Sequence, residues 1–386
     1  VKRLLIVNNI PTPYRTFMFN KMFDRGKSFN IEVSVAFQAC REKRRLWKPE
    51  DFDMKFPYFI STGLKSRRSK PVNLFKYTTL NADIISKVIS GDYDWIMMAA
   101  FMSVTNWVLS LIPSKSKKLL WSESNLMSAH YMGFLDKYFK KLLVGQYDAL
   151  VCPGKYAVEY ITFLAPKMKN KMVLWMPNIV DTQNFREKVI ALKENRSELR
   201  QSFGIGKDEL IIFGSGRLVN TKGFDCLLKA AAEIKGRYKL CIAGSGPEKA
   251  SYEELINRNA MADRVRLLGQ ISEEEVVKWL SCADWFIHPA RKDPSPLVII
   301  EALNAGLPMA VSQNTGNAPE SVIENVNGIT FDQDDQNKVN TAFGRIVNTD
   351  VSSLLKMGQA SMEIARSKLD PDIVVDRFFQ ALLQLR

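Results

Sequence analysis

The sequence predicts an α/β protein made of two successive halves, each a parallel sheet wound with helices. Three observations predict it. Short apolar runs recur along the chain with helical patterns between most of them, the signature of parallel strands buried on both faces. A polar, charged stretch at 181–206 divides one such alternation from a second. The length, 386 residues, is enough for two domains that each bury a core of their own.

In the first half, Leu4, Leu5, Ile6 and Val7 form an opening strand that runs into a loop from Asn8 to Arg15 with two prolines and no glycine. A helix to about Arg25 follows. Further strands are predicted at 31–37, 95–99, 118–121, 149–152 and 173–176, with helices at 74–89 and 134–144. The domains expected are 1–180 and 207–368, with 181–206 as the linker and 369–386 as a final helix. In that helix Val374, Val375, Phe378, Phe379, Leu382 and Leu383 make one apolar face that must pack on something.

The second alternation has strands at 210–213, 239–243, 265–268, 285–287 and 309–312. A helix at 272–281 opens with Ser272 and Glu275 in a capping box. Two Rossmann-like halves of this kind leave a cleft between them, because ligands of doubly wound sheets sit at the carboxyl ends of the strands.

Charge is distributed unevenly. The formal net charge is +13, yet residues 1–180 carry 28 Lys and Arg against 13 Asp and Glu, so the whole excess lies in the first half. Such a field draws that half towards an anionic surface or substrate, or serves simple solubility. The stripe Phe134, Leu135, Tyr138, Phe139 and Leu142, interleaved with lysines, reads as an interfacial helix on anionic lipid or as a core-facing stripe with a basic edge. No recognition helix is evident, which disfavours nucleic acid. Five scattered cysteines and no membrane-spanning run point to a cytoplasmic, metal-free protein.

The chemistry concentrates in two places. Arg217 and Lys222 share a short loop after a strand, beside Gly216 and Gly223, and two cations with close backbone approach suit a diphosphate. Asp293 lies in a loop after the strand ending near His288, and Glu301 follows within an apolar helix. A carboxylate among Val298, Ile299, Ile300 and Leu303 needs a polar partner, and the helix start offers N–H groups to an anion. Gly244-Ser245-Gly246 reads as a structural turn, and His288 as a packed or hydrogen-bonded residue.

Taken together these stretches resemble the retaining glycosyltransferases of family 4, which have the GT-B fold, over nearly the whole chain. Asp293-x7-Glu301 matches that family's E-x7-E motif. The segment from Gly216 to Ala230 matches its Arg/Lys diphosphate segment, and PNIVDTQNF from Pro177 matches its entry into the linker. LLGQIS from Leu267 and VNGITF from Val326 fall in the expected order.

The resemblance implies a metal-independent enzyme that moves a sugar from a nucleotide diphosphate donor, UDP before GDP on family frequency. The acceptor implied is a glycan or glycolipid of the lipopolysaccharide or capsule type, at the inner face of the cell membrane. It implies that Arg217 and Lys222 neutralise the diphosphate, that Glu301 takes the ribose hydroxyls and Asp293 the sugar hydroxyls. The backbone of Pro294, Ser295, Pro296, Leu297 and Val298 would meet sugar and phosphate, with the base near Leu268 and Gly269. The final helix would cross back to the first domain. Glu123 stands where family members often have a histidine, and is either a substitute for it in catalysis or structural. Tyr14, Arg15 and His130 are candidates for contact with donor or acceptor. Asp293 is a methylene shorter than the usual glutamate, and Ser295-Pro296 replaces a Gly-Phe-Gly type of turn, so donor choice is expected to be set there. A nucleotide-sugar epimerase of the same fold is the alternative activity.

Overall fold

The computed structural model describes residues 1–40, 51–61, 80–99, 103–127 and 134–385. The chain divides into two compact units, residues 1–179 with 371–386, and residues 180–370.

The first unit is a seven-stranded parallel sheet. Its strands are β1 (Lys2–Asn8), β2 (Ile31–Phe37), β3 (Tyr58–Ile60), β4 (Trp95–Ala99), β5 (Lys117–Trp121), β6 (Ala149–Cys152) and β7 (Met172–Trp175). They run side by side in the order β3-β2-β1-β4-β5-β6-β7. Helices α1 (Pro13–Gly26), α2 (Ala82–Ser90), α3 (Val104–Leu111), α4 (Phe134–Val144) and α5 (Lys155–Leu164) link them. Alternate residues of β1 feed two cores: Leu4 and Ile6 join Met18, Phe19 and Met22 of α1, while Leu5 and Val7 join Ile84 of α2 and Leu109 of α3. That two-sided burial is why β1 reads as a continuous apolar run. The helix expected at 74–89 starts only at Ala82 among the described residues, because Asn81 is spent on tertiary bonds: its side chain donates to Gln38 O at 2.9 Å and to Ser61 Oγ at 2.6 Å.

The second unit begins with α6 (Thr182–Glu194) and α7 (Arg196–Ser202). This corrects the reading of 181–206 as a linker. Phe203 stacks on Trp279 with centroids 4.2 Å apart, and Arg196 and Arg200 both bind Asp284, at 2.6 and 3.1 Å. Residues that look like linker charge thus hold the two helices on this unit. Its sheet has strands β8 (Leu210–Ser215), β9 (Tyr238–Ala243), β10 (Val265–Gly269), β11 (Trp285–His288), β12 (Met309–Ser312) and β13 (Gly328–Phe331). They are parallel, in the order β10-β9-β8-β11-β12-β13. Around them lie α8 (Phe224–Glu233), α9 (Lys249–Arg258), α10 (Glu273–Cys282), α11 (Leu297–Asn304), α12 (Ala318–Ser321), α13 (Gln336–Val347) and α14 (Val351–Lys368). The capping box forms: Glu275 N donates to Ser272 Oγ at 3.2 Å, and Ser272 N to Glu275 Oε2 at 2.8 Å.

The last helix, α15 (Pro371–Gln384), belongs to the first unit. Val374, Val375, Phe378, Phe379 and Leu382 are buried in the same core as Leu4, Ile6 and Phe19. Each contributes on the order of 1.5–3 kcal/mol of apolar transfer. Arg25 Nε donates to Asp376 at 2.7 Å and Lys21 to Asp372 at 3.1 Å, so α1 and α15 are also tied by charge. Leu383, expected on the apolar face, is instead exposed.

Candidate functional site

In the second sheet the strand order reverses between β8 and β11, so the loops that leave their carboxyl ends flank a topological switch point, where doubly wound sheets bind ligands. The β8 loop carries Gly216, Arg217 and Lys222; the β11 loop carries Arg291, Asp293 and residues 294–296.

Two features press these loops together. Gly223 has φ +70°, and a Cβ there would stand 2.1 Å from the carbonyl oxygen of Pro289. Only glycine satisfies both demands. Arg291 then clamps the first turn of α8, giving its two terminal nitrogens to Asp225 at 2.6 and 2.8 Å, and a further hydrogen bond to Asn220 O at 2.9 Å. Burial pushes the Asp225 pKa up, but hydrogen bonding and the charge of Arg291 more than reverse it, so the carboxyl sits below its ordinary value. On the far side, Gly316 N donates to Asp293 O at 2.8 Å and Asn317 Nδ2 to Pro296 O at 3.2 Å.

Inside this frame Lys222 and Asp293 meet. The Lys222 ammonium is paired with Asp293 Oδ2, and His288 Nε2 lies 3.0 Å from the same oxygen. Asp293 is 8% exposed. Burial raises its pKa, while the hydrogen bond and charge of His288, with Lys222, pull it below the ordinary value. The acid is therefore ionised at neutral pH. Arg217 is exposed and has no ion-pair partner among the described residues. The stem of Lys222 passes 3.8 Å from the position a Cβ would take on Gly216.

Glu301 sits in the second turn of α11, partly buried, with no ion pair among the described residues. Burial first, and the charge of Glu273 second, push its pKa up to about 7. A carboxyl held so close to its protonation point gains from hydroxyl donors, which favour the charged form. Pro296 is the N-cap of α11, so it removes no donor from the first turn, and no side chain caps the N–H groups of Leu297 and Val298. Leu268 packs into the core, whereas a Cβ on Gly269, with φ +72°, would meet nothing within 4 Å. The Gly244 and Gly246 turn is structural as expected: their Cβ atoms would strike Gly216 O and Leu218 O at 1.8 and 2.2 Å.

In the first unit, Arg15 is 6% exposed, donates to Glu123 Oε1 at 2.6 Å, and lies 3.9 Å from the Trp121 ring centroid and 5.1 Å from that of Tyr14. Arg15 is thus committed to Glu123 and Trp121, which join α1 to the end of β5. His130 lies outside the described residues. Sequence reasoning missed the Arg291–Asp225 clamp, and saw His288 without its partner. Nothing in the sequence marks a pair 66 residues apart, but a histidine ending a strand five residues before an acid is a usable signal. Among the described residues no group of three or more His, Cys, Asp or Glu side chains is placed to hold a metal ion.

The fold is that of the two-domain GT-B glycosyltransferase structures. The crystal structure of Anabaena HepE with UDP matches 99% of this chain and 100% of its own at a TM-score of 0.73 and 16% identity. Sucrose-phosphate synthase from Thermosynechococcus elongatus matches 100% and 99% at 0.70 and 15% identity.

Residues 195–363 match the family model described as glycosyl transferases group 1. That stretch contains Arg217, Lys222, Asp293 and Glu301, and is less than half of the chain. Among curated relatives, a GDP-mannose-dependent alpha-(1-6)-phosphatidylinositol monomannoside mannosyltransferase of Mycobacterium tuberculosis is 31% identical over 49% of this chain and 50% of its own. The lipopolysaccharide core biosynthesis glycosyltransferase LpsD of Rhizobium meliloti is 28% identical over 50% and 54%. The chain spans about half the length of these relatives.

Proposed function

We propose that this protein is a retaining, metal-independent glycosyltransferase of family 4 that transfers a sugar from a nucleotide diphosphate donor to a glycolipid or lipopolysaccharide-type glycan. The observation that carries the reading is the Lys222–Asp293 ion pair at the switch point of the second sheet, with Glu301 in the helix that leaves the same β11 loop. It is supported by the group 1 match over these residues, and by relatives whose names state transfer to a phosphatidylinositol mannoside and work on lipopolysaccharide core.

In this reading the bond from the sugar's anomeric carbon to the diphosphate oxygen breaks, and the nucleoside diphosphate leaves with the electron pair. The acceptor hydroxyl oxygen bonds to that carbon from the face the diphosphate leaves, and its proton passes to the departing diphosphate oxygen. Arg217 and Lys222 take the charge that grows on the diphosphate, the part a metal ion plays elsewhere. Glu301 accepts hydrogen bonds from the ribose hydroxyls, and Asp293 from the sugar. The uncapped N–H groups of α11 face the phosphate side. UDP is the favoured base carrier.

The first unit is the acceptor and membrane side of the proposal. Of the apolar stripe on α4, Tyr138, Phe139 and Leu142 are 64, 43 and 48% exposed. This favours the interfacial reading over the core-facing one, and the basic first half adds attraction to anionic lipid. The inner face of the cell membrane is the location this implies. No helix among the described residues is long and apolar enough to cross a membrane.

A thermal-shift panel of UDP-glucose, UDP-N-acetylglucosamine and GDP-mannose tests the donor reading, since a ligand bound only by the folded state stabilises it. A rise in Tm with at least one is expected. No shift with any, at millimolar concentration, contradicts the reading. Incubating the binding donor alone and recovering it unchanged separates transfer from epimerisation.

A further inference from the structure

The donor site contains a buried histidine to which the reading above assigns nothing. His288 is the last residue of β11, between β8 and β12, and is 1% exposed. Its ring lies nearly parallel to that of Phe286, 11° apart with centroids at 6.3 Å. Among the described residues its side chain has one polar contact, Nε2 to Asp293 Oδ2 at 3.0 Å, and Nδ1 is buried with no hydrogen-bond partner. A carboxylate only accepts, so Nε2 must carry a hydrogen. The ring therefore donates Nε2–H to Asp293 Oδ2, from a strand towards an acid in a loop.

The two partners of Asp293 Oδ2 differ in freedom. Lys222 reaches it along a flexible stem from the β8 loop, partly open to solvent. His288 is fixed by strand pairing and by ring packing. A diphosphate held by Lys222 competes with Asp293 for the same ammonium. Once Lys222 turns to it, the shorter acid depends on His288 alone to keep its carboxylate in place.

We propose that His288 is a positioning residue of the donor site: it holds Asp293 turned towards the transferred sugar when Lys222 engages the diphosphate. This rests on the donor-site reading and adds to it a sugar-specific role. His288 touches neither sugar nor phosphate. Its removal therefore lowers the gain in affinity that the sugar adds to the nucleotide, and leaves the nucleotide's own affinity in place.

The test reads that gain. Affinities of the full chain for UDP, UDP-glucose, GDP and GDP-mannose are measured by calorimetry for wild type, His288→Phe, His288→Gln and Asp293→Asn. In His288→Phe the nucleotide diphosphate is expected to bind within about 2-fold of wild type, while the sugar's gain falls about 10-fold. His288→Gln, which keeps an N–H near the Nε2 position, is expected to recover most of it. Adding His288→Phe to Asp293→Asn changes nothing further. A folded His288→Phe with an undiminished sugar gain overturns the inference and leaves the donor site standing. Wild-type protein that binds none of the four removes the donor site and this inference together. Should the variants fail to fold, the wild type still decides, because the chain has only two histidines. In 15N-histidine-labelled wild type, one imidazole is expected to carry an Nε2-bound proton protected from exchange with solvent. The absence of such a ring overturns the proposal.

Discussion

The ammonium of Lys222 and the carboxylate of Asp293 form an ion pair at the carboxyl edge of the second sheet, although 71 residues separate them. The pair is possible because Gly223 lets the β8 loop lie against Pro289, and because Arg291 clamps the β11 loop to α8. It places a movable cation beside a fixed anion, the arrangement that a negatively charged leaving group and a hydroxyl-rich sugar require between them.

Replacing Lys222 by Met should remove a charge-assisted contact to the diphosphate while keeping the stem's packing. Affinity for UDP or GDP is expected to fall roughly 10- to 100-fold. Calorimetry reads this directly, and unchanged affinity would argue that Arg217 alone, or neither cation, meets the phosphates.

Glu301 carries a pH signature. Its pKa in the folded protein is about 7 against an ordinary 4.5. Its contribution to stability is thus full below about 4.5 and is lost as pH rises through 7. Glu301→Gln should therefore gain stability at pH 8, by no more than about 3 kcal/mol, and gain little at pH 5. Donor affinity in the wild type should rise between pH 6 and 8, with a proton released on binding. In Glu301→Gln it should be weak and flat. Equal denaturation midpoints for the two proteins at pH 8 would refute the shift.

Arg291→Ala leaves Asp225 half-buried without its bidentate partner. A loss of about 2–3 kcal/mol at pH 7 is expected, with weaker nucleotide binding because the β11 loop is no longer clamped. Because the Asp225 pKa is depressed, this contribution exists above the ordinary carboxylate range and disappears as pH falls through the lowered value. The penalty should accordingly shrink in acid. Urea denaturation at two pH values checks both parts.

Changing Tyr138 and Leu142 together to Ser should abolish flotation with phosphatidylglycerol vesicles at low salt, with little change in Tm, since both are exposed. Phe139 is kept because its ring packs edge-on against Trp107 at 5.2 Å. Flotation equal to wild type would move any membrane contact elsewhere.

Much of this architecture could be read from the sequence because parallel strands buried on both faces are continuous apolar runs. The strands β2, β4, β6 and β12 have the bounds the pattern predicts. Strand β3 escaped because its apolar run, Tyr58–Ile60, is only three residues long and partly exposed at the sheet edge, too short to stand out as a strand. The helices α6 and α7 passed for a linker because their stability comes from Asp284 and Trp279, far along the chain. In the candidate site, Asp293 and Lys222 were marked by the loops that follow strands, and Glu301 by its apolar helix. The His288–Asp293 contact and the Arg291 clamp were not, since both depend on how the loops fold back.

The central claim is that the second unit holds the donor for sugar transfer. Its most direct test is transfer of a radiolabelled sugar, from whichever nucleotide sugar the protein binds, to a glycolipid extract. Wild type, Lys222→Ala and Glu301→Ala are compared, each shown to be folded by circular dichroism. The account predicts transfer by wild type and a loss of at least about 100-fold in both variants. Wild-type rates from both variants would contradict it.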